Sequence, residues 1–323
     1  MNFSSVWFDR DPILVSWEEP LFGECLPILC FIFSFFNFLN FYLMFDRSVL
    51  EQSTYKYMIF LSLFRATALI VQSFYLICLI LLNFFPIVNQ ISSIVVKPLL
   101  NLSNNLSLLI LTACVIDRYL IIYRKQQPDG QLPLINSIIL IAVTAISHIP
   151  RWLLLNLENI GVCTSFQLKS NVWILVYEIA IFCFFNFGSL VLLSIFSGLL
   201  IKSRSERKTN QTIVELMRPT RQARNSLLVH HSSKSKRQEE ERNLTISLLV
   251  TSGITIICEF YASMFQPITG FLLWQRFNLL SDETIAQLQL LAFVTKFIQY
   301  SPLFFVLFIF NIPVRRVFFS KFV

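Results

Sequence analysis

Residues 99–123 read LLNLSNNLSLLILTACVIDRYLIIY. No charge interrupts the run until Asp117, and Arg118 follows at once. A membrane-spanning helix needs about 20 mostly apolar residues. This run, extended back to residue 92, supplies them, and its Asp-Arg pair falls at the end where such a helix leaves the lipid. The pattern recurs along the chain. Apolar runs lie at roughly 25–45, 57–84, 92–123, 134–155, 172–201, 244–274 and 287–311.

Composition agrees. Charged residues make up 14% of the 323 residues, against roughly 25% in soluble proteins. Mean hydropathy is +0.65. In lipid every backbone polar group must be satisfied internally, so only helices and closed barrels cross. The runs are too long for barrel strands and lack their period-two alternation. The expectation is an all-α membrane protein, a bundle of seven transmembrane helices. No internal repeat is evident, which disfavours transporter architectures.

Charge sets the orientation. Arg47 and Lys56, Arg124 and Lys125, and the tail residues Arg315, Arg316 and Lys321 fall on one side. So does the stretch 202–243, with eleven Lys/Arg against five Asp/Glu. The other side is nearly bare of cations. The N-terminus is therefore expected outside and the C-terminus inside. Residues 1–24 are polar and acidic, with no cleavable signal pattern, and form an extracellular segment. Residues 25–311 form the seven-helix domain. Its basic cytosolic loop, 202–243, is expected to extend the fifth and sixth helices only at its ends and to be the least ordered part. Residues 312–323 interleave cations with Phe, so they read as a short interfacial helix or as a stop-transfer cluster.

Asp117-Arg118-Tyr119 stands at the inner end of the third of seven spans, before a short basic loop. It resembles the Asp-Arg-Tyr signature of rhodopsin-like G-protein-coupled receptors. Lys97-Pro98-Leu99-Leu100-Asn101 and Val115 to Tyr123 resemble the third helix of invertebrate peptide receptors, closest to the FMRFamide-receptor-like and nematode serpentine chemoreceptor group. Ser53-Thr54-Tyr55 and His148-Ile149-Pro150-Arg151-Trp152 are similar to elements of the same group. The resemblance implies that Arg118 is held at rest by carboxylates, Asp117 and Glu241, and released toward a heterotrimeric G protein. It places Ser301, Pro302 and Phe305 in the relay of the seventh helix, and Asn37, with Asn40 as the competing residue, in the first-helix polar position.

The departures from that pattern are specific. The second-helix Asp of the family falls at Arg65. The sixth helix reads Cys258-Glu259-Phe260-Tyr261 in place of Cys-Trp-x-Pro. The seventh reads Ser301-Pro302-Leu303-Phe304-Phe305 in place of Asn-Pro-x-x-Tyr. The fifth has no Pro, and the third lacks its outer Cys. Asn37, Arg65, Glu259 and Lys296 thus form an expected buried polar core. Charges at mid-bilayer are costly and pair or find polar partners. Arg65 either pairs with Glu259, or meets Ser62, Asn37 or Asn104 while Glu259 meets Lys296. The family's disulfide implies a bridge at Cys163, with Cys25 as the cysteine able to reach it; a free thiol is the alternative. Asn2-Phe3-Ser4 is the outer glycosylation sequon.

Other functions find little support. Three His, no CxxC and seven Gly leave no metal site, phosphate loop or nucleophile elbow, so neither an enzyme nor a cofactor is expected. The net charge of +7 sits mostly in one loop, so nucleic acid is not an expected partner. A light sensor would need a Schiff-base Lys. Lys296 lies five residues before Ser301, where opsins resemble a spacing of six. A transporter could use Arg65, Glu259 and Lys296 as pathway charges. The favoured reading is a plasma-membrane receptor for an extracellular ligand, a neuropeptide or else a small chemosensory molecule, with membrane lipid and a G protein as its other partners.

Overall fold

The computed structural model describes residues 25–46, 49, 53–81, 95–124, 132–159, 172–216, 228–274 and 282–322. The helices are α1 (Leu26–Met44), α2 (Ser53–Leu81), α3 (Lys97–Arg124) and α4 (Leu132–Asn159). Helix α5 joins Val172–Ile181 through a π-helical segment, Phe182–Gly188, to Ser189–Leu216. Helix α6 is Leu228–Trp274, and α7 joins Asp282–Tyr300 to Leu303–Phe310. Helix α8 is Ile312–Phe322. Seven of these are long and apolar enough to cross a membrane, and the described residues contain no strand. All-helical architecture is one of the two that lipid allows, since each backbone N–H and C=O is then satisfied within its own segment.

Burial sorts the helices. In α2 and α3, 61% and 56% of the apolar window is buried, against 22% in α4 and 22% in α5. Helices α2 and α3 therefore form the centre, and α4 and α5 turn most of their surface outward. The outward residues are what lipid requires: Phe31, Phe35, Ile138, Ile146, Phe184 and Ile195 are all exposed. The inner core gathers Leu43, Met58, Leu61, Leu108, Leu111, Leu193, Leu248 and Leu307.

With no apolar force between helices in lipid, polar contacts help fix the bundle. Ser34 Oγ donates to the Ala66 carbonyl at 3.0 Å, and Ser73 Oγ to the Pro27 carbonyl at 2.9 Å, tying α1 to α2. Gln72 Nε2 donates to the Phe293 carbonyl at 3.1 Å, tying α2 to α7. Tyr300 Oη donates to Asn104 Oδ1 at 2.9 Å, tying α7 to α3.

Two helices depart from regularity. Pro302 lacks an N–H, and α7 loosens there into a turn with Pro302 at φ −80°, ψ −5°. Asn37 Nδ2 donates to the Tyr300 carbonyl at this break, at 3.2 Å. In α5, which has no Pro, the π segment supplies the deformation instead. Gly188 closes it, and a Cβ there would meet the Cys183 carbonyl at 3.2 Å.

The stretch 202–243 corrects one expectation. Helix α5 continues to Leu216 and α6 begins at Leu228. Helix therefore takes most of a segment expected to be largely loop; residues 217–227 lie outside the described residues. The basic and polar residues there are good helix formers, Lys, Arg, Glu and Gln among them. The tail is helical, as one of its two readings had it. Val314 and Val317 are buried beneath α8. Lys321 reaches Asp46 at 3.6 Å and lies over the Tyr42 ring at 4.6 Å. Arg316 reaches Glu240 at 3.4 Å. Helix α8 thus contacts both α1 and α6.

Candidate signalling site and buried charge cluster

Two polar clusters occupy the bundle. The first surrounds Arg118 near the end of α3. Its guanidinium is buried, 5% exposed. Nε donates to Thr245 Oγ1 at 3.1 Å, and an Nη donates to the Glu241 main-chain carbonyl at 2.8 Å. Both acceptors belong to the same turn of α6, since Thr245 Oγ1 also donates to the Glu241 carbonyl. Asp117 instead accepts from Ser53 Oγ of α2 at 3.1 Å. Tyr119 packs edge-on to Phe196 of α5, centroids 5.6 Å apart. So the Asp-Arg-Tyr triplet sends one side chain each toward α2, α6 and α5.

Beside it runs a polar chain that the sequence reading missed. Tyr55 Oη donates to Asn311 Oδ1 at 3.1 Å, and Asn311 Nδ2 donates to Ser247 Oγ at 3.0 Å. Asn311 is the extended residue between α7 and α8, so it joins α2, α6 and the α7–α8 junction. The expected relay residue Phe305 is not brought here. It is exposed and packs on Phe33 and Phe36 of α1, at 6.0 and 5.6 Å between centroids. The turn at Ser301–Pro302 resets the helical phase, so Phe304 and Leu307 face inward and Phe305 outward. Ser301 is buried at that turn.

The second cluster lies mid-bundle. Asn37, Arg65, Glu259 and Lys296 are all buried. Lys296 Nζ lies 2.5 Å from Glu259 Oε2, which also accepts from Gln299 Nε2 at 3.0 Å. Lys296 and Gln299 are one turn apart on α7 and clasp one carboxylate. The direct Arg65–Glu259 pair is not formed. Arg65 instead donates from Nε to Ser107 Oγ of α3 at 3.4 Å and from an Nη to Thr255 Oγ1 of α6 at 3.0 Å. Its guanidinium carbon lies 5.8 Å from the Tyr300 ring centroid. Lys296 holds Glu259, so the two helices that meet through full charges are α6 and α7, not α2 and α6. Of Arg65's three expected neighbours, Asn104 is bound to Tyr300 and Asn37 to the Tyr300 carbonyl. A third polar contact, Asn105 Nδ2 with His148 Nε2 at 3.0 Å, joins α3 to α4.

Cys25 carries a free thiol at the start of α1; Cys163 and Asn2 lie outside the described residues. Among the described residues no group of His, Cys, Asp and Glu could hold a metal ion.

A central α2–α3 pair, a Pro-broken α7 and an α8 reaching from α6 to α1 complete a bundle of seven membrane-length helices. The chain superposes on the crystal structure of squid rhodopsin with a TM-score of 0.67, over 98% of this chain and 87% of that one, at 12% identity. No protein-family model matches the sequence, and no curated protein does. At that identity the likeness is one of fold.

Proposed function

We propose that this chain is a plasma-membrane receptor that transmits binding of an extracellular ligand to a heterotrimeric G protein. The observation that carries the reading is Arg118: a buried cation at the end of α3, held by neutral acceptors of α6. Hydrogen bonds to a hydroxyl and a carbonyl near a membrane boundary are breakable at modest cost, because water replaces them when α6 moves away. The face then uncovered presents Arg118, Tyr55 and Asn311 to a partner. The basic ends of α5 and α6 suit the anionic inner leaflet and an acidic partner surface.

On this reading the Arg118 end is cytosolic, the N-terminus is outside with Asn2 as its glycan acceptor, and a Cys25–Cys163 bridge would form on the oxidising side. Asp117, Arg118, Tyr119 and Glu241 belong to the coupling end, and Ser301 and Pro302 to the α7 break that relays toward it. The ligand is a peptide, on the third-helix resemblance; a small chemosensory molecule is the competing ligand class. Arg118→Ala should abolish agonist-independent and agonist-stimulated nucleotide exchange while leaving surface expression intact. Normal exchange on a co-expressed panel of G proteins in that variant would sink the mechanism. Screening amidated peptides with a calcium or cAMP readout separates the ligand classes.

A further inference from the structure

Among the described residues, the buried charges within the bundle are Arg65, Arg118, Glu259 and Lys296. Arg118 sits at the end of the bundle. The mid-bundle set is therefore two cations and one carboxylate. Glu259 is committed to Lys296 and Gln299, which leaves the charge of Arg65 unmatched. Arg65 is 1% exposed and stands at the middle of the span Ser53–Cys78, so it cannot snorkel to either interface. Its hydrogen-bond partners are two neutral hydroxyls, and no carboxylate among the described residues lies within ion-pair distance. Lone charges at such a depth are not tolerated without a counter-charge or solvation.

A second observation points the same way. Hydroxyls in these helices commonly donate to the carbonyl four residues back, as Thr67, Thr112, Ser137, Thr144, Ser194 and Thr295 do. Ser62, Thr251 and Ser252 do not; each is buried with no hydrogen-bond partner among the described residues. Ser62 is one turn from Arg65 on α2. Thr251 and Ser252 are one turn from Thr255, the α6 residue that Arg65 bonds. Both turns lie on the Arg118 side. Three hydroxyls without described partners thus lie about one helical turn from Arg65 or from its α6 partner Thr255.

We infer that Arg65, with Ser62, Thr251 and Ser252, forms an intramembrane site for a small monovalent anion, a halide or a compact carboxylate. The guanidinium only donates and each of the three hydroxyls can donate, and the site's net charge of one matches a monovalent guest. Such an ion joins α2 to α6, so its occupancy stabilises their apposition. Anions bind the folded chain and not the unfolded one, so binding raises stability by mass action.

The test uses the full-length protein purified in detergent, at constant ionic strength, with bulky gluconate replaced by chloride or by formate. Thermal unfolding is followed by a thiol-reactive or intrinsic fluorescence readout. Chloride at ten times its dissociation constant should raise Tm by about 2 °C. Arg65→Gln should abolish the dependence. Ser62→Ala with Ser252→Ala keeps the cation and should weaken the anion midpoint about tenfold; it carries the test if Arg65→Gln does not yield folded protein. Stabilisation by formate and not chloride assigns the site to carboxylates, such as one on an organic ligand, and sustains the inference. No stabilisation by either ion, or an unchanged midpoint in the double variant, overturns it. The readout needs no G protein, so its failure is separate from that of the receptor reading.

Discussion

Glu259 is gripped by Lys296 and Gln299 from successive positions on one face of α7, three residues apart. Removing one member of such a pair strands the other charge, at a cost of about 3–5 kcal/mol, whereas replacing both by apolar residues is often neutral. Lys296→Met should therefore reduce the yield and Tm of purified protein sharply, and Lys296→Met with Glu259→Leu should recover most of the loss. A double variant as unstable as the single one would show that packing, not charge, matters at this position. That these residues are buried was legible from the sequence, because four polar side chains interrupt long apolar runs. Their partners were not. Each residue along a helix turns the side chain by about 100°, so a small change in helix rotation decides whether Arg65 meets Glu259 or Thr255. Thr245, Thr255 and Ser107 left no signal either, since Ser and Thr are ordinary residues of membrane helices and only the guanidinium donors that reach them mark them out.

Helix α7 shows how one element resolves its own defect. Pro302 interrupts the ladder, and the carbonyl of Tyr300 turns to Asn37 of the neighbouring α1. An unsatisfied buried carbonyl costs about 1–3 kcal/mol. Asn37→Leu should lower stability by that order, measured as a shift in the thermal unfolding midpoint, while Asn37→Asp should not rescue it because a carboxylate cannot donate when ionised. A leucine variant as stable as the parent would mean that the break satisfies itself. A proline inside a helix removes a ladder donor, so Pro302 is the residue whose type signals this interruption. The π segment of α5 was not readable, because a single wide turn leaves no periodic trace and the helix contains no Pro. The same limit applies to Phe305: the turn at Ser301–Pro302 shifts the phase of the residues after it, and a linear comparison of motifs carries no record of that shift.

For the molecule as a whole, the seven spans were legible because lipid imposes length and composition together. The expected runs and the observed helices agree in number and order. Orientation rests on the distribution of cations, and it has a direct check. Expressed in animal cells, the chain should lose apparent mass on endoglycosidase treatment, and Asn2→Gln should remove that shift. A reagent-accessible cysteine placed at residue 222 should label only after permeabilisation. Labelling of intact cells would reverse the topology. The extent of helix beyond lipid was less legible, because polar residues that favour solvent favour helix equally. Helix α6 runs for 47 residues without a break, about 70 Å at 1.5 Å per residue, against a hydrocarbon core of about 30 Å. Its link to α7 through Glu259 lies 31 residues from Leu228, about 46 Å away. If that link acts as a fulcrum, the helix is a lever with its long arm on the Arg118 side. A tilt of about 10° at the fulcrum sweeps Leu228 through about 8 Å, while side chains near the pivot barely shift.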